Sequence, residues 1–187
     1  MGAKASSLLF VTTSFPRFKN DFAGSFIYRF AKYLVRDGLQ VTVLAPAAPG
    51  YPLNETIDGI IVHRFTYFLP RSSQCLVYGT SGILSNIKTS WLAKLQIPFL
   101  LTATVYSIIR HQDHFDLIHC HWLPTAIAAI LARTLSRKKP PIVLTNWGSD
   151  TRLLPNWITR WTIQRVEGFI STAAETDEHL KAAGCEH

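Results

Sequence analysis

Phe115-Asp116-Leu117-Ile118-His119-Cys120-His121-Trp122-Leu123-Pro124 reads as a short apolar strand that turns directly into a helix. Side chains alternate across a strand, so His119 and His121 fall on one face and Cys120 on the other. Outward from this stretch the same unit recurs. Apolar runs rich in β-branched residues occupy Leu8–Thr12, Gln40–Ala45, Gly59–Phe65, Leu117–Cys120, Ile142–Thr145 and Gly168–Ser171, with helical segments between them. Continuous apolar strands separated by helices mean a parallel sheet covered on both faces.

Among the helices, Ser25–Arg36 puts Phe26, Ile27, Phe30 and Leu34 on one face, with Lys32 and Arg36 near its end and Gly38 as its stop. Leu95 to Arg110 leaves no clear polar face and predicts a buried helix that begins near Pro98. Further helices are expected from Pro124 to Arg137, from about Asn156 to Gln164, and from Thr176 to Ala183 with Gly184 as C-cap. Between Tyr67 and Lys94 the pattern is irregular. The expected fold is α/β, a doubly wound, mostly parallel sheet of about six strands with helices on both faces, forming one domain over residues 1–187.

Composition agrees. The chain has 187 residues, 48% of them hydrophobic and 17% charged, enough for one sizeable core. Cys75, Cys120 and Cys185 are odd in number and widely spaced, which argues against a disulfide framework and for a reducing, cytoplasmic setting. The net charge of +7 is spread from Lys4 to Lys181, and the one dense run is Arg137-Lys138-Lys139. Without zinc-finger spacing or an aromatic RNA-binding motif, no nucleic-acid partner is expected. Met1-Gly2-Ala3-Lys4-Ala5-Ser6 matches a myristoylation pattern, but a buried strand begins at Leu8. The longest uncharged stretch, Leu95 to Ile109, is interrupted by Pro98, so neither a signal peptide nor a membrane span is expected. No G-x-G-x-x-G follows any strand, which argues against a dinucleotide-dependent oxidoreductase.

Three places can carry chemistry. In a doubly wound fold the carboxyl ends of the strands open onto the ligand crevice, so His121 is a candidate substrate-facing imidazole; the alternative is a pair of buried, hydrogen-bonded histidines. Thr145-Asn146-Trp147-Gly148-Ser149-Asp150 ends the next strand. There Gly148 would admit close backbone approach and Asp150 would accept hydrogen bonds from hydroxyls, or else form a turn and an N-cap. The long first loop, Thr13 to Ser25, carries Arg17 and Lys19 and brings Gly24 and Ser25 to a helix N-terminus, which favours an anion. His111 and His114 add to the histidine count, but no carboxylate stands at a ligand spacing and no metal is expected. Lys88, Trp91, Leu92 and Lys94 mix cations and aromatics as lipid-interface segments do, the alternative being packing on the core.

In order along the chain stand Phe10-Val11-Thr12-Thr13-Ser14-Phe15-Pro16 with Gly24, Gly38-Leu39-Gln40-Val41-Thr42-Val43-Leu44, Asp116-Leu117-Ile118-His119-Cys120-His121-Trp122, Ile142-Val143-Leu144-Thr145 with Gly148 and Asp150, and Ser171 before Glu175 and Leu180-Lys181-Ala182-Ala183-Gly184. These pieces resemble the N-terminal, acceptor-side domain of the retaining family-four glycosyltransferases of GT-B fold. The resemblance implies that His121 is the catalytic residue beside the transferred sugar, that Gly24 approaches the donor phosphate, and that Asp150 closes the pocket. Arg17, Ser25, Asn146 and Gly148 complete the expected substrate-binding set. Ala23-Gly24 stands where the family often has two glycines, and Asn146-Trp147-Gly148 where it usually reads His-Gly.

It also implies a nucleotide-sugar donor held by a C-terminal domain or separate subunit and a glycan or lipid-linked acceptor; no cofactor is expected, and the cations and aromatics from Asn86 to Lys94 give an expected peripheral contact with the inner face of the membrane. Since the chain stops near where the interdomain connection would start, the isolated chain is expected to be inactive. The alternative function is a non-catalytic half-domain that binds a glycan, lipid or partner polypeptide.

Overall fold

A computed structural model describes residues 6–78, 82–147 and 154–172. The elements are β1 (Ser7–Val11), α1 (Ser25–Arg36), β2 (Gln40–Pro46), β3 (Asn54–Ile57), β4 (Ile60–Phe65), α2 (Gly82–Thr89), α3 (Trp91–His111), β5 (Leu117–His121), α4 (Leu123–Thr134), β6 (Ile142–Asn146), α5 (Asn156–Ile163) and β7 (Gly168–Ser171). The strands form one sheet in the order β3-β4-β2-β1-β5-β6-β7. All pairs are parallel except β3 with β4.

All six strands expected from the sequence are present, and β3 is a seventh. It folds back along β4 through Asp58 and Gly59, both at positive φ (50° and 81°), the two-residue turn whose twist suits a hairpin. The expected helix at Thr176–Ala183 and its Gly184 cap lie outside the described residues.

Alternation along the strands divides the core into two sides. Leu9, Val11, Ile118, Cys120 and Leu144 pack with Ala126, Ala129 and Ile130 of α4 and Ile108 of α3. Phe10, Val41, Val43, Ile60 and Val62 pack on the other side with Ile27 and Ala31 of α1. Cys120 therefore faces α4 while His119 and His121 face the α1 side, where both rings touch Phe10.

Helix α3 departs from the reading of its sequence. It starts at Trp91, because Ser90 caps it with Oγ accepting from the Ala93 N–H at 3.3 Å. Pro98 lies within the helix rather than in its first turn. Nor is the helix buried all round: Ala93, Gln96, Thr104, Ser107 and Ile108 face inward while Trp91, Leu95, Phe99 and Tyr106 face out. The segment before it is less irregular than its composition suggests. Gln74 bonds the Tyr67 N–H and the Ala47 carbonyl, and Gln96 accepts from the Cys75 and Leu76 N–H groups while donating to the Ser73 carbonyl at 2.7 Å. These two buried amides satisfy backbone groups that have no strand or helix to pair with.

Candidate functional site at the carboxyl edge of the sheet

Parallel crossover units bring the carboxyl ends of β1, β5 and β6 to one edge, so segments far apart in sequence converge there. The first loop leaves β1 at that edge and folds on itself. Thr12 Oγ1 donates to the Ser14 carbonyl at 2.9 Å, and the Ser14 N–H returns a bond to the same hydroxyl. Gly24 closes the loop at φ 66°, as N-cap of α1. A Cβ on Gly24 would stand 2.3 Å from the Ser14 carbonyl oxygen, so both the conformation and the space require glycine. The N–H of Ser25, the first residue of α1, donates to the Phe22 carbonyl, and no side chain caps the helix.

Arg17 is used by the loop itself. Its Nε and Nη2 donate to the two oxygens of Asp21 at 2.7 and 3.1 Å, and its guanidinium lies over Tyr78, 4.6 Å from the ring centre. Burial alone would raise the Asp21 pKa, but hydrogen bonds from the Arg17 side chain and from the Arg17 and Ala23 N–H groups outweigh it and hold it at about 2. Arg17 is thus a charge that shapes the loop. Arg64, which the sequence reading did not select, reaches from β4 to the Pro16 carbonyl at 2.5 Å and to Glu55 at 2.7 Å, tying the loop to the β3–β4 hairpin. The signal available in the sequence was a lone arginine inside an apolar strand.

His121 ends β5 and is fully buried. The sequence placed its ring in an open crevice, and the structure corrects this. The ring is 4.8 Å from Phe10 and stacks on His119 at 4.6 Å, and Trp147 stacks on it at 6.1 Å. Trp147 in turn meets Phe26, two residues beyond Gly24, at 4.4 Å. An aromatic residue just past the end of β6 therefore covers the imidazole from the crevice side.

The two histidines differ in their partners. His119 Nε2 is 2.7 Å from Thr145 Oγ1, whereas among the described residues neither nitrogen of His121, nor the Trp147 indole N–H, has a hydrogen-bond partner. Burial pushes the His119 pKa down to about 4, and burial together with the neighbouring His119 pushes His121 well below the usual histidine range. Both rings are neutral at pH 7. A neutral imidazole with both nitrogens unspent offers one donor and one acceptor to a hydroxyl or phosphate oxygen once the cover opens.

The turn after His121 is strained. Trp122 adopts φ 77° and ψ 149°, a region that costs a non-glycine residue about 1–3 kcal/mol. The Thr125 hydroxyl braces it, 2.9 Å from the His121 carbonyl and 2.8 Å from the Trp122 carbonyl. Asn146 is fully buried at the end of β6, and its carbonyl accepts from the N–H and hydroxyl of Thr172. Gly148 and Asp150 lie outside the described residues. The structure thus gathers Gly24, Ser25, His121 and Asn146 along one edge, with Arg17 turned to Asp21. Of the remaining histidines, His111 pairs with His63, ring centres 5.1 Å apart. Among the described residues no three His, Cys, Asp or Glu side chains are grouped as metal ligands.

A family model described as Glycosyltransferase Family 4 matches residues 23–187. No curated protein sequence matches the chain significantly. Two structures of sucrose-phosphate synthase from Thermosynechococcus elongatus are similar to this fold, each at 11% sequence identity. One gives a TM-score of 0.61 over 94% of this chain and 81% of the other. The second gives 0.64 over 95% of this chain but 45% of that one. The catalytic domain of starch synthase IV from Arabidopsis thaliana, bound to ADP and acarbose, gives 0.51 at 16% identity, over 77% of this chain and 34% of its own. The chain spans about half of the longer synthase structure or less.

Proposed function

From the premise that the chain belongs to glycosyltransferase family 4, we propose that it is the acceptor-side half of a retaining sugar transferase. The donor is a nucleotide-activated sugar held by a second domain or subunit across the crevice. The acceptor is a glycan or lipid-linked hydroxyl bound at the carboxyl edge of the sheet, on the cytoplasmic side of the membrane. No cofactor takes part in this reading.

One observation carries it. His121 is fully buried, both its ring nitrogens lack a partner among the described residues, and it ends β5 beside Phe30 of α1, the helix that follows Gly24. An unpaired buried polar group costs about 1–3 kcal/mol. A ligand that hydrogen-bonds the ring recovers that cost, so the site favours a polyhydroxyl or phosphate-bearing substrate.

In this mechanism Gly24 keeps the first loop low at the N-terminus of α1, where backbone N–H groups and the helix dipole favour the diphosphate. His121, held neutral, gives its hydrogen bond to the sugar in transit without adding a charge. Its value lies in orientation and in stabilising charge as the glycosidic bond to phosphate breaks. Trp147 shifts off the ring to admit the sugar.

The test is turnover. The full-length protein, offered a panel of nucleotide sugars with a membrane glycolipid extract, is expected to release nucleoside diphosphate and form an α-linked product from an α-linked donor, read by anomeric coupling in NMR. The 187-residue chain alone is expected to turn over none, because half the cleft is needed from elsewhere. Robust transfer by that chain, or inversion at the anomeric carbon, overturns the reading.

A further inference from the structure

Helix α3 carries large apolar residues on its outer face as well as its inner one. Along its solvent side stand Trp91, Leu95, Pro98, Phe99, Thr102 and Tyr106, one helical face with spacings of three or four residues. Trp91 is 75% exposed and Tyr106 61%. Leu69, 77% exposed, extends the patch from the loop whose Phe68 ring packs edge-on against Phe99 at 5.4 Å. Its buried positions are Ala93, Gln96, Thr104, Ser107 and Ile108, three of the five polar. This pattern opposes what water selects for, and a continuous exposed apolar stripe marks an interaction surface.

The charges around it choose the partner. From Gly59 to Gln112 the sequence has no Asp or Glu. The exposed cations Lys88, Lys94 and Arg110 flank the stripe, and among the described residues none of them is in an ion pair. An apolar stripe bordered by unpaired cations matches an anionic lipid surface, where aromatics enter the headgroup boundary and lysines stay at the phosphates. A second copy seated on this face would set the same cations against one another.

The helix has the length and apolarity to cross a membrane. It does not do so in this fold: Ile108 belongs to the core, and Gln96 is spent on the loop at residues 73–76. Trp91 to Tyr106 spans about 22 Å along the axis, a row of side chains able to lie in the interface plane.

We propose that the outer face of α3 docks the protein peripherally on an anionic bilayer. The proposal does not rest on the transferase reading, since vesicle binding requires no turnover, and failure of one leaves the other standing.

The test is co-sedimentation of the full-length protein with vesicles of phosphatidylcholine alone or mixed with phosphatidylglycerol, at low and high salt. Wild type is expected to bind the mixed vesicles at low salt and to be released by salt. The double variant Trp91→Ser, Leu95→Ser should partition about tenfold less or weaker still. Lys88→Glu with Lys94→Glu should lose the preference for phosphatidylglycerol. Circular dichroism should show both folded. As an independent measurement, brominated lipid should quench tryptophan fluorescence in wild type, and Trp91→Phe should bind but lose that quenching. The proposal is overturned if wild type stays in the supernatant, if the serine variant binds as wild type does, or if Trp91→Phe leaves the quenching unchanged. It is equally overturned if the serine substitutions abolish a stable dimer, seen by sedimentation velocity, in a protein that ignores vesicles.

Discussion

Helices α1 and α3 cover opposite faces of the same sheet and solve the packing problem in opposite ways. Helix α1 buries Ile27 and Ala31 and gives Arg29, Tyr33 and Arg36 to water. Helix α3 buries Gln96, Thr104 and Ser107 beside Ala93 and Ile108, and exposes Trp91, Leu95, Phe99 and Tyr106. The first pattern is set by the core alone. The second answers to two demands: polar bonding to an irregular loop inside, and an apolar surface outside. The sides differ again in ionisable groups, since the α1 side holds two stacked imidazoles against Phe10 and Phe30.

Acid should separate the two sides first. A histidine with a folded pKa near 4 and an unfolded value near 6.5 leaves the unfolded chain binding more protons between them. Its penalty is therefore absent above about pH 6.5 and grows as pH falls toward 4, reaching about 3 kcal/mol for His119 alone. Urea unfolding at stepped pH should show this loss. A His119→Phe, His121→Phe variant should be flatter over the same window, and an unchanged profile would mean that the imidazoles are not the cause.

Turnover gives the next largest effect. Replacing His121 by Ala in the full-length protein should lower kcat roughly 10²-fold, as expected when a positioned polar group acting in the transition state is removed. His119→Ala should instead cost about 1–3 kcal/mol in stability, because the Thr145 hydroxyl loses its partner. Equal kinetic losses from both would deny the difference between the site-edge ring and the deeper one.

Much of the fold was legible because buried parallel strands leave continuous apolar runs, and α1 begins and ends where its glycines say. The Asn54–Ile57 strand escaped because an edge strand need not be apolar, although Asp58-Gly59 was there as a turn signal. Helix α3 escaped for a better reason. Apolar character in a sequence reports that water is avoided, not what replaces it, so Leu95 to Arg110 read as core. At the site, position along the strands was legible from the topology. The cover over His121 was not, since it depends on Trp147 and Phe26, residues from two other elements meeting in space. Likewise Arg17 read as a free cation because its partner, Asp21, is buried by the fold of the loop and not by its spacing.

The interior of α3 offers a smaller effect that sharpens the contrast. Gln96→Leu exchanges a buried amide for a residue of similar size and better helix propensity, which by apolar patterning alone should stabilise. Instead it should cost about 2 kcal/mol, because the Cys75 N–H and the Ser73 carbonyl lose their Gln96 partner inside the protein, the Leu76 N–H alone keeping a second bond to the Tyr67 hydroxyl. Differential scanning calorimetry would read it as a lowered Tm, and a rise would show that the loop bonds elsewhere at no cost.

The smallest expected effect lies on the outer face of the same helix. Trp91 and Tyr106 contribute little burial in the free protein, being 75% and 61% exposed. Trp91→Ser and Tyr106→Ser should each change unfolding free energy by no more than about 0.5 kcal/mol, the range of surface substitutions that touch no buried feature. On α1 the comparable truncation is Ile27→Ala, which removes a fully buried side chain and should cost about 2–5 kcal/mol. If the surface aromatics mattered to the fold itself, the two sets would converge. Their divergence, measured by urea denaturation with constant m-values, would show that α3 keeps large aromatics at positions where the isolated fold gains nothing from them. Residues that folding does not need and water does not favour are then held for contact with something else, and the cations beside them make that contact anionic.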